Sequence, residues 1–247
     1  MNNEQTQNDF VNKFLQPSDL EIGLYIVPTP IGNLQDITLR SLNVLRSVDY
    51  IACEDTRSTD KLLKFYNIPV PKLFSYHNFN ETEKSQYIIE LIKEGKKVAL
   101  VSDAGTPLIS DPGYKIVQLM IENNLYFEVL PGANAVLPAL IFSGFPVHSF
   151  TFLGFPPQKK NRKKFLENLK NLDSTIILYE SPFRIKKLVL ELKEIFTENQ
   201  KISISREISK KFEETIRGTI KEVNDLVNKK ENLKGEFVVL ISGERCL

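Results

Sequence analysis

From Ile22 onward the chain alternates short β-rich apolar runs with longer amphipathic stretches, and this rhythm constrains its fold more than any other feature. Short runs rich in Val, Ile, Phe and Tyr predict strands, whereas apolar positions recurring every three to four residues predict helices. Strands are expected at Ile22–Val27, Tyr50–Glu54, Val98–Ser102, Phe127–Leu130, Phe150–Gly154, Thr175–Glu180, Lys201–Arg206 and Glu236–Ser242. Helices are expected at Thr38–Ser47, Thr59–Tyr66, Glu81–Lys93, Gly113–Asn123, Ala133–Ser143, Arg162–Leu172, Phe183–Phe196 and Lys221–Asn228. Such alternation predicts α/β architecture, with largely parallel strands and helices on both faces of the sheet. No internal repeat or low-complexity tract interrupts it.

At 247 residues the chain is long enough for two domains, each with its own core. A boundary is expected across Gly144–Lys160, where Pro146, Pro156 and Pro157 suit a turn or linker better than an element interior. Residues 1–21 read as a loose polar tail, 22–145 as an N-terminal α/β domain and 146–247 as a C-terminal α/β domain. The longest apolar run, around Ala135–Phe142, is broken by Pro138 and far short of the ~20 residues that span a bilayer, so no membrane segment is expected. The opening MNNEQTQNDFVNKF lacks the basic flank and apolar core of a secretory signal. Cys53 and Cys246, far apart in sequence, suggest neither a disulfide framework nor a zinc site, and a reducing cytoplasm is the expected setting. The net charge of +1 excludes blanket attraction to nucleic acid but leaves room for a local basic patch.

The segments that follow the strands carry the chemistry. Pro28–Asn33, PTPIGN, has Gly32 where backbone can approach a ligand and Asp36 as an expected N-cap of the next helix; alone it reads as a rigid βα turn. Glu54–Arg57, EDTR, could hold a cation, position a substrate or act as a base beside a charge partner, or it could be an Arg57 ion pair, with Thr56 or Asp55 capping the next helix. In Tyr76–Glu81, YHNFNE, His77 is the natural proton-transfer group, whereas His148, in a proline-flanked turn, reads as structural.

Ser102–Gly113, SDAGTPLISDPG, differs in kind. Two glycines, two prolines, two aspartates, two serines and a threonine in one loop exceed what a turn requires. Gly105 can expose main-chain groups to a ligand, and Asp103 and Asp111 can accept hydrogen bonds from it. Pro131–Ala135, PGANA, offers main-chain groups at a helix N-terminus but lacks a GxGxxG or GxxxxGKS fingerprint. Gln158–Lys164, QKKNRKK, concentrates Lys159, Lys160, Arg162, Lys163 and Lys164, which could engage a phosphate backbone or simply form a solvated loop. Ser181–Arg184, Arg206–Glu207, Lys210–Lys211 and Arg217–Gly218 repeat the placing of polar groups at strand ends. No His/Cys/Asp cluster has metal-ligand spacing, so no metal site is expected.

Taken in order, these segments resemble the tetrapyrrole-methylase-type family of S-adenosylmethionine-dependent methyltransferases. Within it they are similar to the ribosomal RNA small subunit methyltransferase I branch, the 16S rRNA cytidine-2′-O-methyltransferases. The runs that carry the resemblance are Leu24–Thr38, Glu54–Thr59, His77–Glu81, Val101–Gly113, Pro131–Ala135, Phe152–Lys159, Tyr179–Arg184, Arg206–Glu214 and Lys234–Ile241. The resemblance implies two α/β domains with the cofactor in the cleft between them, and a homodimer. It assigns Pro30, Asp103, Ala104, Gly105, Ile109, Asn134 and Ala135 to S-adenosylmethionine, with Gly235 and Glu236 near its adenine. It also implies an acceptor in 16S rRNA of the small ribosomal subunit. Glu54, Arg57 and His77 are then expected to face that acceptor, with Asp55 and Asp111 as further candidate bases, and Lys159, Lys160, Arg162, Lys163, Lys164, Lys210 and Lys211 to bind its phosphates. Longer relatives carry a helical extension after the strand matching Glu236–Ser242, so with this sequence ending at Leu247 its RNA docking is expected to be missing or replaced. The alternatives are a tetrapyrrole methyltransferase of the same fold and a nucleotide-binding module without catalysis.

Overall fold

The computed structural model describes residues 19–230 and 233–243, so most of the expected tail and Cys246 lie outside the described residues. The chain divides into two compact units, one through Asn134 and one from Ala135.

The first unit runs β1 (Leu24–Ile26), α1 (Leu39–Ser47), β2 (Tyr50–Cys53), α2 (Thr56–Phe65), β3 (Lys72–Ser75), α3 (Glu81–Lys93), β4 (Val98–Val101), α4 (Tyr114–Glu122) and β5 (Phe127–Val129). Its five strands form one parallel sheet in the order β3-β2-β4-β1-β5. Alternation along each strand sorts the core into two layers. Tyr25, Val27, Ile51, Cys53, Ala99 and Val101 pack with Leu42, Val44 and Leu45 of α1 and Leu63 of α2. Leu24, Ile26, Ala52, Val98 and Leu100 pack with Ile88, Ile89 and Ile92 of α3 and Ile116 and Met120 of α4. The strands therefore read as continuous apolar runs because helices cover both faces. Each such aliphatic side chain, when fully buried, contributes about 1.5–3 kcal/mol.

The second unit runs α5 (Val136–Ser143), β6 (Phe150–Phe152), α6 (Arg162–Asn168), β7 (Thr175–Glu180), α7 (Ile185–Ile195), β8 (Lys201–Arg206), β9 (Glu214–Thr219), α8 (Ile220–Lys229) and β10 (Phe237–Ile241). Its sheet has the order β6-β7-β10-β8-β9. One face packs on α6, α7 and α8 through Leu166, Leu188, Val189, Leu192, Val223 and Val227, while α5 packs against β8 and β10. Because α5 belongs with this sheet, the compact units part at Asn134, earlier than the proline-based boundary at residue 145.

The expectation of largely parallel strands holds in the first sheet and needs correction in the second. There only β6–β7 is parallel; β7–β10, β10–β8 and β8–β9 are antiparallel. The β8–β9 connection is too short for the dozen or so residues that a parallel crossover needs, so the chain folds straight back. Two strands, β3 and β9, go beyond the sequence pattern, and both lie at a sheet edge. Capping also moves one assignment. Asn33 caps a short 3-10 turn that contains Asp36, and α1 is instead capped by Thr38, whose Oγ accepts from Ser41 N at 3.0 Å. No helix among the described residues is long and apolar enough to cross a membrane.

Candidate functional site

All five strands of the first sheet point the same way, so their following loops gather at one edge. β1 and β4 are neighbours, yet β1 leads to α1 on one face and β4 to α4 on the other. Such a reversal opens the crevice in which α/β sheets bind ligands. Here the crevice is bordered by PTPIGN and SDAGTP.

These loops are laced together. Thr29 N donates to Gly105 O at 2.9 Å and Gly105 N returns a bond to Thr29 O at 3.0 Å, an isolated antiparallel bridge beyond the strand ends. Thr29 Oγ1 donates to Ser102 O at 3.1 Å, and Ser102 Oγ lies 3.3 Å from the carbonyls of both Ala104 and Gly105. Thr106 Oγ1 donates to Ala133 O at 3.0 Å, tying in the loop after β5. Gly105 has φ +84, where a side chain is strained. Gly132 is required for a different reason: a methyl group there would overlap the ring of Pro28. Leu108 and Ser110 hold positive φ of 72 and 69 without being glycine, a cost of about 1–3 kcal/mol each that the surrounding structure must offset. The loop's exit is fixed by Glu81, whose Oε1 accepts from Gly113 N at 2.9 Å and Lys115 N at 3.2 Å.

The structure links the EDTR segment directly to this loop. Asp103 N donates to Glu54 Oε2 at 3.2 Å, and Asp55 N donates to Asp103 Oδ1 at 3.3 Å. Partial burial raises the Asp103 carboxyl above its ordinary value. Asp55 caps α2, accepting from Arg57 N at 2.9 Å, and pairs with the Arg57 guanidinium at 2.7 Å. The hydrogen bonds from Arg57 hold the Asp55 carboxyl down at about 2. Arg57 is therefore partnered by Asp55 and not by Glu54, though it remains largely exposed.

His77 follows β3, two strands from β4 in the sheet order, about 10 Å away at ~4.8 Å per strand. Its backbone N donates to Asn80 Oδ1 at 2.8 Å, its Nε2 lies 3.4 Å from Asn80 Nδ2, and its Nδ1 is buried without a hydrogen-bond partner. Below the edge a cavity of about 400 Å³ is lined by Pro30, Gly32, Ser58, Lys61, Phe65 and Asp103, among others. Sequence reasoning missed Lys61 and Phe65, because only the packing of α2 beside the β1 loop turns them toward this space. It also missed Thr29 and Ser102 as the hydroxyls that shape the loop.

The residues assigned to the cofactor thus fall in two groups. Pro30, Asp103, Ala104, Gly105, Ile109 and Asn134 belong to the first unit's loops, whereas Ala135 opens α5 and Gly235 and Glu236 precede β10 in the second. Of the basic residues, Lys159, Lys160, Lys163, Lys164 and Lys211 are exposed. Two others are engaged within the protein. Arg162 is 4% exposed and directs its guanidinium to Glu191, Glu180 and the Pro157 carbonyl. Burial alone would lower its pKa, but the two carboxylates outweigh that and raise it. Lys210 bridges Glu207 at 2.9 Å and Glu236 at 3.1 Å, so its charge is largely balanced within the protein.

Comparison with known proteins agrees with this architecture. Residues 23–224 match the family model of tetrapyrrole (corrin/porphyrin) methylases. A protein of Hydrogenobaculum sp. named ribosomal RNA small subunit methyltransferase I is 49% identical over 224 residues, 91% of this chain and 97% of its own. The protein of that name from Bacillus subtilis is 50% identical over 92% of this chain and 76% of its own. Among solved structures, a cobalt precorrin-4 methyltransferase superposes with TM-score 0.66 at 20% identity, covering 92% of this chain and 98% of its own. Uroporphyrin-III C-methyltransferase from Thermus thermophilus, complexed with S-adenosylhomocysteine, does so with TM-score 0.61 at 17% identity, covering 90% and 98%. These last two speak for the fold alone. The chain belongs to the tetrapyrrole methylase family, and within it to the group of ribosomal RNA small subunit methyltransferases I.

Proposed function

We propose that this protein transfers a methyl group from S-adenosylmethionine to the 2′-hydroxyl of a cytidine ribose in 16S rRNA. The observation that carries the reading is identity of 49–50% across nine-tenths of the chain to proteins named for small-subunit rRNA methylation. The residues present fit the cofactor. Gly105 and Gly132 leave main-chain groups bare beside a crevice, and the Asp103 carboxylate at its rim suits a cationic ligand. Pro30, Asp103, Ala104, Gly105, Ile109 and Asn134 would hold it, joined by Ala135, Gly235 and Glu236 of the second unit. S-adenosylmethionine supplies an electrophilic methyl group on a sulfonium that departs as a neutral thioether.

The protein's task is then alignment more than activation of a leaving group. Loops held by the Thr29–Gly105 bridge and the Thr106–Ala133 bond are pre-organised for it, and alignment can lower a barrier by ~7–11 kcal/mol. A ribose hydroxyl is a weak nucleophile, for which a positioned base adds about 10²–10⁴-fold. Glu54 is the base this reading favours. Its Oε2 is held by Asp103 N, which leaves Oε1 to take the hydroxyl proton one residue from the donor loop. Arg57 and His77 would orient the acceptor nucleotide. Lys159, Lys160, Lys163, Lys164 and Lys211 would bind its phosphates, and the working form would be a cytoplasmic homodimer.

The test is transfer of labelled methyl to assembled small subunits from cells lacking the modification, with free RNA and a tetrapyrrole as parallel acceptors. Nuclease digestion of the labelled subunits should release 2′-O-methylcytidine. Label only in the tetrapyrrole would overturn the reading, and an unchanged rate in Glu54→Gln would remove Glu54 as base.

A further inference from the structure

On one edge of the second sheet the cofactor assignment uses Gly235 and Glu236, before β10, and leaves the aromatic side chains of the other loops without a role. Its cross-strand register runs Glu180, Phe237, Arg206, Glu214, so the end of β7, the start of β10, the end of β8 and the start of β9 share one level. β6 joins them, since Phe152 pairs with Ile177 and the chain leaves β6 beside the end of β7. Three loops on this edge carry phenylalanines turned to solvent. Phe183 is 94% exposed, Phe212 65% and Phe155 51%. From β6 to β9 they span four strand intervals, about 19 Å at ~4.8 Å each.

Single exposed apolar residues are ordinary, but three rings on one edge are a surface feature with a use. The loops that carry them are anchored. Phe155 rests against the Tyr179 ring with centroids 5.5 Å apart, Lys211 Nζ lies 5.7 Å from the Phe212 centroid, and Arg206 donates to the Phe212 carbonyl at 3.3 Å. The Phe183 loop follows Glu180, which is locked by Arg162, Arg184 and Ser181 N. The charges around the rings are exposed cations: Lys159 and Lys160 just after Phe155, Lys211 beside Phe212, and Lys234 before β10.

We infer that this edge is a stacking platform for an unpaired stretch of the acceptor RNA, with bases on Phe155, Phe183 and Phe212 and phosphates on the neighbouring lysines. Aromatic faces interleaved with cations are the physical requirement for holding single strands. Glu213 and Glu236 are exposed among these loops, which disfavours a continuous anionic surface such as a membrane. Separate bases, by contrast, can reach past them. The inference rests on the reading of RNA as acceptor.

The experiment measures binding of a short unstructured pyrimidine RNA to the full-length protein by fluorescence anisotropy, together with methylation kinetics on small subunits. Phe183→Leu keeps an apolar group but removes the ring, and at 94% exposure it should fold like the parent. It should weaken RNA binding about 5- to 150-fold and raise KM for subunits more than it lowers kcat, while Phe183→Trp restores affinity. Phe155→Leu and Phe212→Leu should behave likewise, and the dissociation constant for S-adenosylmethionine should stay constant throughout. Equal RNA affinity in the Leu variants and the parent would overturn the inference. So would a changed cofactor affinity at constant RNA affinity, or ring-dependent binding to vesicles of anionic lipid without binding to RNA. If the parent methylates no RNA at all, the proposed function fails instead, and the anisotropy measurement still decides this inference.

Discussion

Replacing Arg162 by methionine separates a buried structural cation from the exposed lysines on either side of it. The side chain is 4% exposed; its Nε donates to Glu191 at 2.8 Å, its Nη1 to Pro157 O at 3.0 Å, and its Nη2 lies 3.4 Å from Glu180. Glu180 has no exposed side-chain surface, so removing one of its two arginines leaves a buried carboxylate short of compensation. Breaking a buried pair from one side costs about 3–5 kcal/mol. Arg184 Nε stays on Glu180 at 2.8 Å and Glu191 keeps some solvent access, which favours the lower end, about 3 kcal/mol. For a domain of this size that corresponds to a fall in Tm of roughly 10 °C, readable by scanning calorimetry. Arg162→Lys should recover little, because an ammonium cannot reproduce the guanidinium fork. Lys163→Ala and Lys164→Ala, on exposed positions, should move Tm by no more than about 2 °C. If Arg162→Met melts with the parent but loses RNA affinity as Lys163→Ala does, the guanidinium faces the ligand and the reasoning is wrong.

Three further outcomes are expected. Gly132→Ala forces a methyl group into Pro28 and should weaken S-adenosylmethionine binding by about 5- to 150-fold, from an overpacking cost of ~1–3 kcal/mol; calorimetric titration reads it, and unchanged affinity would mean the two loops move freely. Replacing Lys159, Lys160, Lys163 and Lys164 together by alanine should flatten the salt dependence of RNA binding by about 0.7 in log–log slope for each phosphate no longer neutralised, with cofactor affinity constant. Asp103 has a carboxyl raised by burial, and a cationic cofactor favours its ionised form. Affinity should therefore be full above that raised pKa and fall as pH drops through it, and Asp103→Asn should abolish the dependence; a variant with the parent's pH profile would exclude Asp103 as the titrating group.

The first sheet was legible because burial on both faces leaves an unambiguous mark. Tyr25 and Val27 serve one layer and Leu24 and Ile26 the other, so β1 reads as an unbroken apolar run. β3 and β9 escaped because edge strands have less to bury. Lys72–Ser75 has no fully buried residue, and Glu214–Thr219 reads ETIRGT, which resembles a loop in composition. The direction of the second sheet was not legible for a related reason. Periodicity reports which face of a strand is covered, whereas parallel or antiparallel pairing depends on how far the connecting chain must travel, and β10 enters between β7 and β8 from the far end of the sequence.

The same distinction separates the two halves of the candidate site. The Ser102–Gly113 loop announces itself because its constraints are local: a left-handed Gly105, the positive φ of Leu108 and Ser110, and the hydroxyls of Ser102 and Thr106 are contained in SDAGTPLISDPG. Charges carry no such local signature. In QKKNRKK, Arg162 and Lys163 are adjacent and chemically alike, yet one is buried against Glu191 and Glu180 and the other is in solvent. Their fates part because Arg162 opens α6 on the side that meets α7, where Glu191 sits, and only the packed helices determine that side. The EDTR segment behaves the same way. The spacing of Asp55 and Arg57 suits a cap with its own ion pair, which the structure forms, and that pairing leaves Glu54 to the backbone of Asp103. The Glu54 carboxylate is thus oriented not by the nearest arginine but by the main chain of Asp103, a residue nearly fifty positions away.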